Sequence, residues 1–204
     1  LLANPFGSLT LASGVPENGV LAFDIVRNDN VIGTHTYRFN RSGERTEVSI
    51  KTDIDFRLLF ISVYRFEHES REVWENGLLL SLKSQTNENG SPVKLQVVQD
   101  EYSLMVNGED GNLRVDREII PASLWNRLIL ERAETLTTIS GSLKKFEVEF
   151  IGEKTIEIHG KEFLSQHFRL TGEFEREIWY DAKNVLVRAQ FEASDGSTVE
   201  YVLK

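Results

Sequence analysis

Four side chains in this sequence have the types and spacing to do chemistry together: His35, His68, Ser70 and Glu72. In a β-strand successive residues point to opposite faces, so parity assigns each of them a side. Over Val31–Asn40, His35 shares a face with Val31, Gly33, Tyr37 and Phe39, opposite Thr34, Thr36 and Arg38. Over Val63–Trp74, one face carries Arg65, Glu67, Glu69 and Arg71 and reads as solvated. The other carries Tyr64, Phe66, His68, Ser70, Glu72 and Trp74. Two imidazoles, a hydroxyl and a carboxyl therefore point to the apolar side, with Tyr37, Tyr64 and Trp74 around them. A buried charge or imidazole needs partners. Three arrangements satisfy that need: a hydrogen-bonded polar patch inside the domain, a ligand pocket with these groups as its polar anchors, or a metal held by two His and a Glu. The sequence has no dense metal-ligand motif and no arrangement that specifies a catalytic residue.

The elements that must position these residues are mostly strands. Period-two alternation runs through Val20–Arg27, Val31–Asn40, Arg45–Phe56, Ser62–Glu75, Leu78–Thr86 and Val93–Gln99, with shorter strands at Tyr102–Val106 and Leu113–Val115. It resumes over Lys144–Ile151, Thr155–His159, Glu162–Thr171, Glu173–Asp181, Val185–Ala193 and Thr198–Leu203. Turns at Asn76-Gly77 and Asn89-Gly90 are strong hairpin signals. Parity places His167 with Ser165 and Arg169, facing water, and His159 at a strand end. One segment departs from the pattern. Pro121–Glu134 has apolar residues four apart (Leu124 and Leu128, Trp125 and Ile129) and predicts a helix of about three turns. Trp125 and Asn126 on it can line a pocket as a lid, or pack as core.

Short connections between successive strands predict an antiparallel meander, and so many strands in one sheet must curl. The expected fold is all-β with minor α: a barrel, half-barrel or β-roll with one short covering helix. Residues 20–204 read as a single β domain. Residues 1–19, rich in Gly and Pro, read as an amino-terminal arm or the mature start of an exported protein.

Composition excludes several functions. There is no cysteine, hence no disulfide, thiolate metal site or cysteine nucleophile. A net charge of −9, with basic residues scattered among acids, argues against nucleic acid as a partner. No apolar run reaches the ~18 residues of a membrane-spanning helix. Nothing implies a cofactor, and the oligomeric state is not encoded in any readable way.

The segments Val31-Ile32-Gly33-Thr34-His35, Val63–His68 with Glu72-Val73-Trp74 and Gly77, Ser84–Asn87 with Asn89-Gly90, Pro121–Asn126 and Ile178–Asp181 resemble a bacterial domain-of-unknown-function family. The likeness spans roughly residue 20 to the carboxyl terminus, and it implies export to the cell envelope, hence a periplasmic or otherwise exported protein. It brings no established activity. In architecture the chain is loosely similar to periplasmic lipoprotein-carrier proteins, where a curved sheet with a helical lid holds acyl chains. It has one clear helix where the carriers use several. The leading expectation is a non-enzymatic envelope protein binding a lipid-like or other apolar small molecule inside a curved sheet. The alternatives are a hydrolase or metal-dependent enzyme using His35, His68 and Glu72, which requires the imidazoles to lie within a few ångströms of each other, and a scaffold or assembly protein.

Overall fold

The computed structural model describes residues 14–58, 61–193 and 195–204. Most of the expected amino-terminal arm, residues 1–13, lies outside them. In chain order the strands are β1 (Val20–Arg27), β2 (Asn30–Ser42), β3 (Arg45–Leu58), β4 (Ile61–Glu75), β5 (Leu78–Glu88), β6 (Ser91–Gln99), β7 (Ser103–Gly108), β8 (Gly111–Asp116), β9 (Ile120–Pro121), β10 (Glu134–Leu136), β11 (Leu143–Ile158), β12 (Lys161–Gly172), β13 (Arg176–Asp181), β14 (Leu186–Glu192) and β15 (Thr198–Leu203). They form one curved sheet whose spatial order runs β8 to β1, then β15 down to β9. Two meanders are thus joined in the middle by the antiparallel pairing of β1 with β15. Among the described residues the single parallel pair is β9 with β10.

Connectivity forces the sheet to curl. Its two edges, β8 and β9, are consecutive in the chain, with residues 117–119 between them. That link reaches no more than about 15 Å. Laid flat, fifteen strands would hold the edges roughly 67 Å apart. Bulges at Ile25/Val26, Phe56/Arg57, Val73/Trp74, Phe150/Gly152 and Trp179/Tyr180 supply local bending and twist. The bulge at Gly152, where φ is +145°, explains why β11 is one strand where the sequence predicts two: the glycine kinks the strand without ending it.

Alternation holds over the long strands. Inward residues such as Leu21, Phe23, Tyr37, Ile50, Leu82 and Ile178 form the main core. The outer faces carry cross-strand ion pairs such as Lys51–Glu69 and Arg65–Asp53. His167 lies on the outer face as expected, but it is not simply solvated. Its ring stacks on Trp179 with centroids 4.1 Å apart, and Nε2 sits 2.7 Å from a Glu177 carboxylate oxygen.

The predicted three-turn helix is a five-residue 3₁₀ helix, Arg127–Glu131. The reason lies in what precedes it. Pro121 belongs to β9, and residues 122–126 are committed to contacts with the sheet. The Tyr37 hydroxyl donates to the Ser123 carbonyl, and the Tyr180 hydroxyl donates to the Leu124 carbonyl at 2.7 Å. Leu124 has φ +65°, bracketed by a Trp125 N–H to Ser123 carbonyl bond of 2.9 Å, so the chain makes a γ-turn there. Such a conformation costs on the order of 1–3 kcal/mol, which the two buried phenol bonds, at about 1 kcal/mol each, help to offset. Residues 122–133, between β9 and β10, thus cross the concave side of the sheet, and past β10 Ser84 Oγ holds the far end of this stretch of chain by donating to the Thr138 carbonyl at 2.6 Å.

At that far end the β7–β8 hairpin seats on the same segment. The Glu109 N–H donates to the Ser140 carbonyl at 3.2 Å, and a Cβ on Gly108 would lie 2.1 Å from that oxygen. Gly108→Ala is therefore expected to lower stability in urea unfolding by about 2 kcal/mol or more. Gly90→Ala, in a turn with open space around it and φ +90°, should cost only the backbone term of about 1 kcal/mol. Equal effects at the two positions would show that the hairpin does not seat on Ser140.

Candidate functional site

The register of β2 to β5 arranges the inward side chains in rows. In one row His35, Thr52, His68 and Thr86 stand side by side on four adjacent strands. His35 Nδ1 is 2.7 Å from Thr52 Oγ1, and His68 Nδ1 is 2.8 Å from Thr86 Oγ1. The next row holds Tyr37, Ile50, Ser70 and Ser84, and the third Phe39, Val48, Glu72 and Leu82.

The nine residues singled out in the sequence therefore do not form one constellation. Thr52 separates the two imidazoles, and two strand spacings place their backbones about 10 Å apart. Glu72 lies four residues along β4 from His68, about 13 Å away in backbone terms. Among the described residues no three His, Asp or Glu groups converge to hold a metal ion.

His35, Tyr37 and His68 line a cavity of about 350 Å³ on the concave side of the sheet. Its walls are aromatic and apolar, including Phe66, Phe174, Phe191 and Tyr201. The crossing segment supplies Ala122, Ser123 and Leu124. Ile139, Glu173 and Glu175 also line it and are exposed, so the cavity opens between residues 137–139 and 173–175. The His35 ring lies between Tyr37 and Tyr201, with centroids 4.5 Å and 4.8 Å away. Burial pulls its pKa down to about 3, and the nearby His68 adds to the shift. Burial likewise lowers His68 to about 4, against the pull of Glu69. Both imidazoles are neutral at neutral pH. His35 Nε2 is buried without a protein partner.

Glu72 belongs to a different device. It is fully buried. Its Oε2 accepts from the indole N–H groups of Trp74 at 2.8 Å and Trp125 at 2.9 Å. The two indoles meet edge to face with centroids 5.6 Å apart. Burial raises the Glu72 pKa, while the indoles of Trp125 and Trp74 and the neighbouring Ser123 hydroxyl oppose the rise. Oε1 and the Ser123 hydroxyl close no well-aligned hydrogen bond.

The remaining candidates are structural. Asn126 caps the 3₁₀ helix, its Oδ1 accepting from Leu128 N–H at 3.1 Å. Ser70 is buried between the His and Glu72 rows, its hydroxyl without a protein partner. Tyr64 packs two rows beyond His68, stacked on Phe66, and burial together with Glu88 raises its pKa to about 12. Sequence reasoning missed Thr52 and Thr86, although Thr52 shares parity with Ile50 and Ile54, and Thr86 with Leu82. It also missed Arg176, which alternates with inward Ile178 and Tyr180. It had no signal for Ser123, because a helix was expected there.

A family model for a domain of unknown function, DUF6134, matches residues 23–204. The chain belongs to this family. DUF6134 carries no assigned activity, so the geometry above is what bears on function. The fold is similar to the crystal structure of a β-barrel-like protein of domain of unknown function DUF1849 from Brucella abortus. The TM-score is 0.64 at 6% identity, covering 91% of this chain and 95% of that one. At that identity the likeness concerns the fold alone. A comparison with curated proteins finds no match.

The imidazoles make stability depend on pH in a definite direction. Below pH 6.5 the unfolded chain protonates both, while the folded chain keeps them neutral until about pH 4 and pH 3. Stability is therefore lost as pH falls from 6.5 towards 4, by up to about 1.4 kcal/mol per pH unit for each group. Asn at each position keeps a polar atom near Nδ1 but does not titrate. In urea unfolding at pH 7.0 and 4.5, the wild type should lose roughly 2 kcal/mol more per imidazole than His35→Asn/His68→Asn. Parallel losses in the two proteins would mean that the imidazoles are open to water.

Proposed function

We propose that this protein is a non-enzymatic binding protein of the bacterial cell envelope that holds a small amphipathic molecule inside its curved sheet. The observation that carries this reading is the 350 Å³ cavity, walled by aromatic rings and furnished with two neutral imidazoles. Ligand pockets are mostly apolar clefts of about 300–1,000 Å³ with a few placed polar groups. This cavity is at the small end of that range, which favours a compact ligand over several acyl chains. The envelope part of this reading rests on the resemblance of the sequence segments to a bacterial family whose members are mostly exported.

Hydrolysis is less well supported. His35 does stand beside a hydroxyl, that of Thr52. An imidazole with a pKa near 3 is a weak base at neutral pH, and an effective general base titrates near the working pH. No carboxylate orients either ring through Nδ1, since threonines occupy those positions.

Native mass spectrometry of protein taken gently from the envelope fraction of its own cells tests the proposal. A bound small molecule is expected. Ala189, buried on β14 and lining the cavity, is the position to fill: folded Ala189→Phe should carry none. Ligand-free wild type, or protein recovered only from the cytoplasm, contradicts the reading.

A further inference from the structure

Two basic side chains line the cavity, Lys144 and Arg176, and Arg176 is the one held against aromatic rings. Arg176 enters the wall at the start of β13, its guanidinium carbon 4.5 Å from the Phe174 ring centroid and 4.4 Å from that of Phe191. Its Nη1 donates to the main-chain carbonyl of Glu175 at 2.6 Å. Among the described residues no carboxylate lies within ion-pair distance of it, whereas Arg65, Arg71 and Arg188 on the outer face each pair with one. Of the two acids at the mouth, Glu173 accepts from the Lys145 N–H at 2.9 Å, and Glu175 is exposed to water. Burial lowers the Arg176 pKa, and the nearby Tyr201 and Glu175 only partly oppose it.

A guanidinium with two aromatic rings against it is held in place and offers its remaining N–H groups as a fixed fork. That fork matches the two oxygens of a carboxylate. From Arg176 the wall continues through Phe191 to Tyr201, ring centroids 5.9 Å apart, and on to His35 at 4.8 Å. The apolar surface thus ends on the unpartnered Nε2 of a buried imidazole.

Resting on the cavity-binding reading above, we propose that Arg176 receives the carboxylate of a small organic acid whose apolar body lies along this wall. At about 30 Å³ per water-sized unit, the cavity takes roughly a dozen non-hydrogen atoms. A medium-chain or aryl-substituted acid fits that size. A long-chain fatty acid does not.

Calorimetric titration of the full chain with octanoate and 1-octanol, and with phenylacetate and 2-phenylethanol, separates the possibilities. Each acid should bind at least about tenfold more tightly than its alcohol. Arg176→Met should bring the acid down to the level of the alcohol and leave the alcohol unchanged, while Arg176→Lys keeps part of the preference. The Arg176 Nε–H resonance of the wild type should shift with octanoate and not with octanol, a readout that does not depend on the variants folding. Equal binding of acid and alcohol overturns the carboxylate assignment but leaves the cavity reading in place. Palmitate binding much more tightly than octanoate overturns the size limit. If neither acids nor alcohols bind, the assignment and the reading both fall.

Discussion

The carboxyl group of Glu72 is the point on which the interior is organised. It sits fully buried in the third row of the concave face and takes the indole N–H groups of Trp74 and Trp125 on one oxygen. Trp74 belongs to the same strand. Trp125 belongs to the segment that crosses the concave side. One buried acid therefore fastens that segment to the sheet, and the phenols of Tyr37 and Tyr180 fix the two carbonyls before it. A buried carboxyl without donors is costly, on the order of several kcal/mol. Releasing Trp125 would strip Glu72 of one of its two indole partners. The same contacts hold Leu124 at φ +65° and keep residues 122–126 out of a helix.

What this fastening leaves open is as informative as what it fills. The sheet is curled because its two edges are joined by three residues, and the crossing segment fills one part of the concavity. The His row lies outside that plug. There the inward positions hold imidazole and threonine side chains, and the opposite wall is aromatic. The result is a cavity whose imidazoles are neutral and whose wall holds Arg176 against two aromatic rings, with Lys144, Glu173 and Glu175 also lining it. Neutrality at His35 and His68 follows from burial, and their tie to threonine hydroxyls fixes the rings without giving them charge. A compact ligand with one anionic end is complementary to such a lining.

Much of this was legible in the sequence. Period-two alternation gave the long strands and put His35, His68 and Glu72 on the inward faces, as found. The Asn76-Gly77 and Asn89-Gly90 hairpins followed from turn chemistry, and both asparagines have positive φ. Parity could not say which rows lie side by side, because strand register across a sheet depends on turns and bulges. His35, His68 and Glu72 share a face, yet the imidazoles and the carboxyl lie in separate rows. The helix over Pro121–Glu134 failed for a related reason. Its four-residue spacing was real, but Trp125 and Ser123 are claimed by Glu72 and Tyr37, which lie far away in the chain. Arg176 went unnoticed because a charge at the start of a strand reads as solvated until the rings around it are placed.

The anchoring of the crossing segment can be tested directly by native-state hydrogen exchange of the two indole protons, followed by NMR. If Glu72 holds both, Trp74 and Trp125 should exchange slowly and together, at rates close to those of the most protected strand amides. A Trp125 indole that exchanges as freely as an exposed one, while Trp74 stays protected, would show that the segment is not fastened and that the cavity has no fixed wall on that side.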